Sequence, residues 1–109
     1  MKKANEELRN LKKLLKGYNV DVFVLGKNYT EPEYYESDNL KLITTTDNGI
    51  RIVFSKQSDI NNTESELNIQ GNLISITSSF TQYTVSFLLE LNNGAEVELV
   101  GYIVKRFQD

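Results

Sequence analysis

The chain has no cysteine, histidine or tryptophan, and only one proline and one methionine. Without cysteine there is no disulfide framework, no thiolate nucleophile and no cysteine-ligated zinc or iron–sulfur site. Without histidine the commonest general base and the commonest metal ligand are both missing. Serine, lysine or carboxylate chemistry stays open in principle. Yet the sequence contains no Gly-x-Ser-x-Gly elbow, Ser-x-x-Lys pair, glycine-rich phosphate loop or His-Glu-x-x-His helix. No apolar run approaches the ~20 residues that span a bilayer. Two lysines follow Met1, but Asn5, Glu6 and Glu7 stand where a signal peptide would need its apolar stretch. These absences point to a cytoplasmic, non-enzymatic protein without cofactor or metal.

What is present is a polar, 109-residue chain, enough for one domain over residues 1–109 with a single core. Its net charge of −3 conceals an asymmetry. Residues 1–17 carry six Lys/Arg and two Glu, whereas residues 18–109 carry six Lys/Arg and thirteen Asp/Glu. Such a bipolar surface favours oriented encounter with a charged partner. Although Lys2, Lys3, Arg9, Lys12, Lys13 and Lys16 could meet phosphates, the acidic remainder and the lack of a known motif argue against a nucleic-acid partner. Abundant asparagine, lysine and isoleucine suggest an AT-rich genome, as in a low-GC bacterium or phage.

The first segment, 1–17, reads as an amphipathic helix. Ala4, Leu8, Leu11 and Leu15 recur at spacings of four, three and four, with Leu14 widening the stripe. Lysines crowd its last turn, where they complement the helix dipole, and Gly17 is placed to adopt a left-handed cap. Two heptads are too few for a coiled coil, so the stripe is expected to pack on its own sheet.

Residues 18–109 read as a β-meander. Asn19–Leu25 is a nearly continuous apolar strand with both faces partly covered. Three hairpins follow. An Asn48-Gly49 turn would set Ile43 opposite Phe54 and Thr45 opposite Ile52. A Gly71-Asn72 turn would set Ile69 opposite Ile74 and Leu67 opposite Ile76. For the last hairpin, a two-residue Asn93-Gly94 loop would bring Glu96 and Glu98 onto the core face, which is costly. A three-residue Asn92-Asn93-Gly94 loop with Gly94 left-handed instead pairs Leu91 with Ala95, Leu89 with Val97, Phe87 with Leu99, Val85 with Gly101 and Tyr83 with Ile103. Gly101 then leaves a gap in the inner row, where a bend would let the sheet curl. Gln57–Glu66 is a polar loop and Ser78–Gln82 a reversal. The fold expected is α+β: an N-terminal helix on a curled, mostly antiparallel sheet or incomplete barrel of about seven strands.

The segment Asn28–Asn39, NYTEPEYYESDN, combines three tyrosines and four carboxylates with no positive charge. As a calcium loop it lacks the EF-hand pattern and the glycine for its sharp turn. As a recognition loop it is better suited: tyrosine offers large contact area with few torsions to freeze, and carboxylates would select a basic partner surface. The candidate protein-binding residues are therefore Tyr29, Glu31, Glu33, Tyr34, Tyr35, Glu36 and Asp38. The competing reading turns Tyr34 and Tyr35 inward to cap an open end of the sheet. Glu90, Glu96 and Glu98 fall on the outer face of the last hairpin, Glu90 opposite Glu96, where solvated carboxylates discourage edge-to-edge aggregation. The leading expectation is a non-enzymatic protein-binding module, as an inhibitor, immunity or accessory factor. The alternatives are a half-barrel holding a small ligand among Phe54, Tyr83, Phe87 and Ile103, and a carboxylate-based enzyme.

Overall fold

The computed structural model describes residues 2–16, 18–26, 33–37, 39–55 and 64–102. One helix, α1 (Lys2–Leu14), precedes eight strands: β1 (Asn19–Leu25), β2 (Glu33–Ser37), β3 (Asn39–Thr45), β4 (Gly49–Ser55), β5 (Glu64–Gln70), β6 (Leu73–Phe80), β7 (Thr84–Leu91) and β8 (Glu96–Tyr102). They form two antiparallel sheets, a five-stranded one in the order β2-β1-β8-β7-β6 and a three-stranded one in the order β3-β4-β5. The α+β class and the incomplete barrel hold. Around the molecule every strand follows its sequence neighbour, and β1 pairs with β8. The circuit is interrupted where the chain changes sheet, between β2 and β3 and between β5 and β6. The eighth strand is β2, which lies inside the segment expected to be a loop.

The space between the sheets is filled by side chains. Val20, Val22, Leu89, Val97 and Leu99 from one sheet face Ile52 and Phe54 from the other, all fully buried. Leu8, Leu11 and Leu15 of α1 join the same core, each side chain contributing roughly 1.5–3 kcal/mol of burial. Leu14 does not widen that stripe: it is 53% exposed. The helix runs along β3, where Asn5 Oδ1 accepts from Thr45 N at 3.0 Å, Thr45 Oγ1 at 2.8 Å and Thr44 Oγ1 at 3.2 Å. Capturing that backbone N–H blunts an edge strand that could otherwise pair with another chain. Toward its C-terminal end the helix sets Leu15 over Gly101, where an added Cβ would meet Leu15 Cδ2 at 2.5 Å. The gap at Gly101 is thus a seat for the helix. No register shift interrupts β7 and β8 there.

The last hairpin follows the expected register, with Leu89 against Val97, Phe87 against Leu99 and Val85 against Gly101. Leu91 N donates to Ala95 O at 2.9 Å, and Gly94 has φ 90°. Ile103 lies outside the described residues, so its pairing with Tyr83 does too. A Cβ on Gly94 would meet nothing within 4 Å, so only its backbone conformation demands glycine. Gly94→Val should therefore destabilise by about 1–2 kcal/mol in urea unfolding, and an unchanged midpoint would contradict this.

Two other turns depart from expectation. In the β3–β4 hairpin, Thr46 N donates to Gly49 O at 2.7 Å, and Thr45 pairs with Ile50. The loop residues are Asp47 and Asn48, one position earlier than expected, and Ile43 meets Ile52 rather than Phe54. This slides the pairing by two residues, which keeps Ile43, Ile52 and Phe54 facing inward. On its other side Gly49 pairs with Gln70 of β5, and a Cβ there would run into the backbone oxygen of Ile69. Glycine at 49 serves close approach, not a left-handed turn.

The Gly71-Asn72 hairpin does not form. Ile69 pairs with Ile50 and Ile76 with Leu89, on different sheets. Gly71, at φ 123°, carries the chain across, and the neighbouring loops hold the crossing. Gly71 N donates to Asn48 O at 3.0 Å, Asn72 N to Asn92 Oδ1 at 3.0 Å, and Asn93 Nδ2 to Gln70 O at 2.9 Å. Crossing brings Leu67 and Ile69 onto the core from one sheet and Leu73 and Ile76 from the other. The reversal expected at Ser78–Gln82 falls instead at Thr81–Thr84, where Thr81 Oγ1 accepts from Tyr83 N at 3.1 Å and Thr84 N at 2.9 Å. Of the polar loop at 57–66, residues 57–63 lie outside the described set, and Glu64–Glu66 begin β5.

Candidate functional site

The structure divides the Asn28–Asn39 segment. Tyr29, Glu31 and Asp38 lie outside the described residues. Glu33, Tyr34, Tyr35 and Glu36 belong to β2, at one side of the five-stranded sheet, with Tyr34 paired to Phe23 and Glu36 to Asp21. Period-two alternation sends the two tyrosines to opposite faces. Tyr35 turns to the core, its ring 5.9 Å from that of Phe54, while its hydroxyl donates to Glu33 Oε1 at 2.9 Å. Tyr34 points outward, 50% exposed, its ring 5.0 Å from that of Phe23. Neither sequence reading is right for both residues: one tyrosine is structural and the other is on the surface.

Tyr34 belongs to a larger surface. The helix and the three-stranded sheet share one core with the inner face of the five-stranded sheet, and among the described residues the side chains of its outer face are half-buried or exposed. There the ladder aligns Tyr34, Phe23, Glu98, Leu88 and Thr77 in one row across all five strands. Neighbouring rows supply Asp21 beside Val100, and Glu96 beside Glu90. Those five strands contain six carboxylates and no lysine or arginine. Some carboxylates are held by hydrogen bonds: Asp21 Oδ2 accepts from Tyr102 Oη at 2.9 Å and Glu90 Oε1 from Ser75 Oγ at 2.7 Å. As expected, β1 is at least partly covered on both faces: Val20, Val22 and Val24 are buried, and Asp21, Phe23 and Leu25 are half-buried among cross-strand neighbours.

The positive charge sits elsewhere. Arg9, Lys12, Lys13 and Lys16 recur at i, i+3, i+4 and i+7, which places them on one flank of α1. With Leu40 and Lys41 of β3 they line an open groove of about 420 Å³. A bulge between Leu40 and Leu42 keeps Leu40 buried against the core and sets Lys41 at the groove. Lys41 Nζ lies 3.5 Å from Glu64 Oε2, whereas among the described residues the four helix cations form no ion pair. Four like-charged pairs at helical spacing oppose one another by about 1–2 kcal/mol in total. Placement of Lys12 and Lys13 in the last turn offsets part of this through the helix dipole. Arg51, by contrast, is engaged by Glu66, Nε to Oε2 at 2.8 Å and Nη2 to Oε1 at 3.3 Å. That guanidinium, followed by the Asn68 amide, holds the Glu66 carboxyl below the usual carboxylate range.

Among the described residues no three Asp or Glu side chains gather to hold a metal ion, and no helix is long and apolar enough to cross a membrane. Of the residues expected to line a half-barrel cavity, Phe54 and Phe87 are buried in the shared core, Tyr83 is 57% exposed on a turn, and Ile103 lies outside the described residues. No family model, characterised protein or solved structure matches this chain. Sequence reasoning missed Phe23, Leu88 and Val100 as surface residues because an apolar strand reads as buried. It also missed Lys41, whose place depends on a bulge.

Proposed function

We propose that the chain is a non-enzymatic protein-binding module of a low-GC bacterium or phage, and that it engages a basic partner through the outer face of its five-stranded sheet. The observation that supports this is the half-exposed Tyr34 ring on Phe23, within a face that, among the described residues, carries carboxylates and no basic residue. Aromatic anchors concentrate binding energy, and surrounding carboxylates govern approach and reject acidic surfaces. Glu98 in the same row, with Asp21 and Glu96 in the flanking rows, extends the recognition surface well beyond the Asn28–Asn39 segment.

The test uses immobilised protein to capture partners from a low-GC bacterial lysate, followed by kinetics on the purified partner. Tyr34→Ala should weaken binding by at least ~2 kcal/mol, mainly through faster dissociation. An Asp21→Asn, Glu96→Gln, Glu98→Gln triple variant should slow association and flatten its salt dependence. Tyr35→Ala is the structural control: it should lower the unfolding midpoint by removing the stack on Phe54. If Tyr34→Ala lowers stability as much as Tyr35→Ala and leaves dissociation unchanged, the outer face is not the contact surface.

A further inference from the structure

We infer that the groove between α1 and β3 is a binding site for a compact, multiply charged phosphate compound, such as a triphosphate. Five cations converge on one concavity: Arg9, Lys12 and Lys13 of the helix, Lys16 in the turn that follows it, and Lys41 from the facing bulge. Seven residues at helical rise span about 10 Å, so these charges can reach a single small ligand. The volume of about 420 Å³ lies within the range of small-molecule sites. Among the described residues no carboxylate lines the groove itself, Lys41 keeps Glu64 Oε2 at 3.5 Å, and the other four cations are left facing one another. An anion there removes that repulsion and completes the charge-assisted hydrogen bonds that the ammonium and guanidinium groups offer.

The charge distribution selects the size of the ligand. A nucleic acid or an extended anionic membrane would run off the groove onto an acidic body, since residues 18–109 carry thirteen carboxylates against six cations. A compact polyanion confined to the groove avoids that repulsion. The site lies apart from the outer sheet face, so it can be occupied whether or not a protein partner is bound there.

Inorganic triphosphate is the probe, followed by calorimetric titration and by thermal unfolding. It should bind and raise the Tm, and should bind at least tenfold more tightly than orthophosphate. A Lys12→Gln, Lys16→Gln double variant should lose about tenfold or more in affinity through the missing charged hydrogen bonds. Lys13→Gln should show a smaller loss. Arg51→Gln, which removes a cation engaged with Glu66 instead, should leave triphosphate affinity unchanged. No heat and no Tm shift with triphosphate, or an equal loss in Arg51→Gln, would overturn the site. Affinity for single-stranded oligonucleotides that exceeds that for triphosphate and grows with length would overturn the compact ligand in favour of a polymer. Binding to phosphatidylserine vesicles that triphosphate does not displace would likewise overturn it in favour of a membrane surface.

Discussion

Replacing Gly49 by alanine should destabilise the protein by about 3 kcal/mol or more in urea unfolding. The added methyl group has nowhere to go: it would overlap the backbone oxygen of Ile69 and crowd the Cα of Gln70, both parts of β5. Backbone atoms in a ladder cannot rotate aside as a side-chain end can, so the two strands must separate where Gly49 pairs with Gln70. Separation there would loosen the crossing at Gly71, whose N–H is held by Asn48. Gly94 is the instructive contrast, because its requirement is conformational. Asparagine, which tolerates left-handed backbone, should be accepted at 94 and should fail at 49 as badly as alanine. An unfolding midpoint for Gly49→Ala within error of the wild type would show that β4 and β5 are not packed this closely.

Truncating Leu11 to alanine should destabilise by roughly 2–4 kcal/mol, since its side chain is only 2% exposed in the shared core and little around it can collapse into the void. The neighbouring leucine has a fitted seat: Leu15 rests on Gly101, and a side chain at either position excludes the other. Deletion of residues 1–16 supplies the complementary measurement. It should expose Thr45 N–H and the apolar row under the helix, and should unfold the domain or leave it prone to association. Full retention of stability, with only a change from dimer to monomer, would reassign the helix to oligomerisation.

What could be read from the sequence follows from which alternatives differ in hydrophobic burial. The β7–β8 register was legible because the competing loop would have buried Glu96 and Glu98, a large penalty written directly in the residue types. The helix was legible from Leu8, Leu11 and Leu15, although Leu14 shows that the breadth of a stripe depends on the partner surface. The β3–β4 register was not legible, because a two-residue slide leaves Ile43, Ile52 and Phe54 facing inward. For the same reason the Gly71-Asn72 crossing could not be told from a hairpin: Ile69 and Ile76 point to the core in both. Strand β2 was hidden by its composition, since Tyr34 faces outward, Glu33 on the Tyr35 side is exposed, and only Tyr35 enters the core. The candidate surfaces were half legible. The lysine-rich helix flank could be read from spacing alone, whereas the row through Tyr34, Phe23, Glu98 and Leu88 exists only once four strands are aligned.

The pairing of β1 with β8 has a consequence for how the molecule comes into being. Every other ladder joins strands adjacent in the sequence, so each can close over a short loop soon after its residues are available. The β1–β8 ladder joins Asn19 to Tyr102 and Leu25 to Glu96, and must close roughly 80 residues of chain at once. During synthesis β1 waits while six strands are made, its Val20, Val22 and Val24 row lacking one wall. The helix can dock early on β3, where Asn5 holds Thr44 and Thr45, but the seat of Leu15 at Gly101 is completed only when β8 arrives.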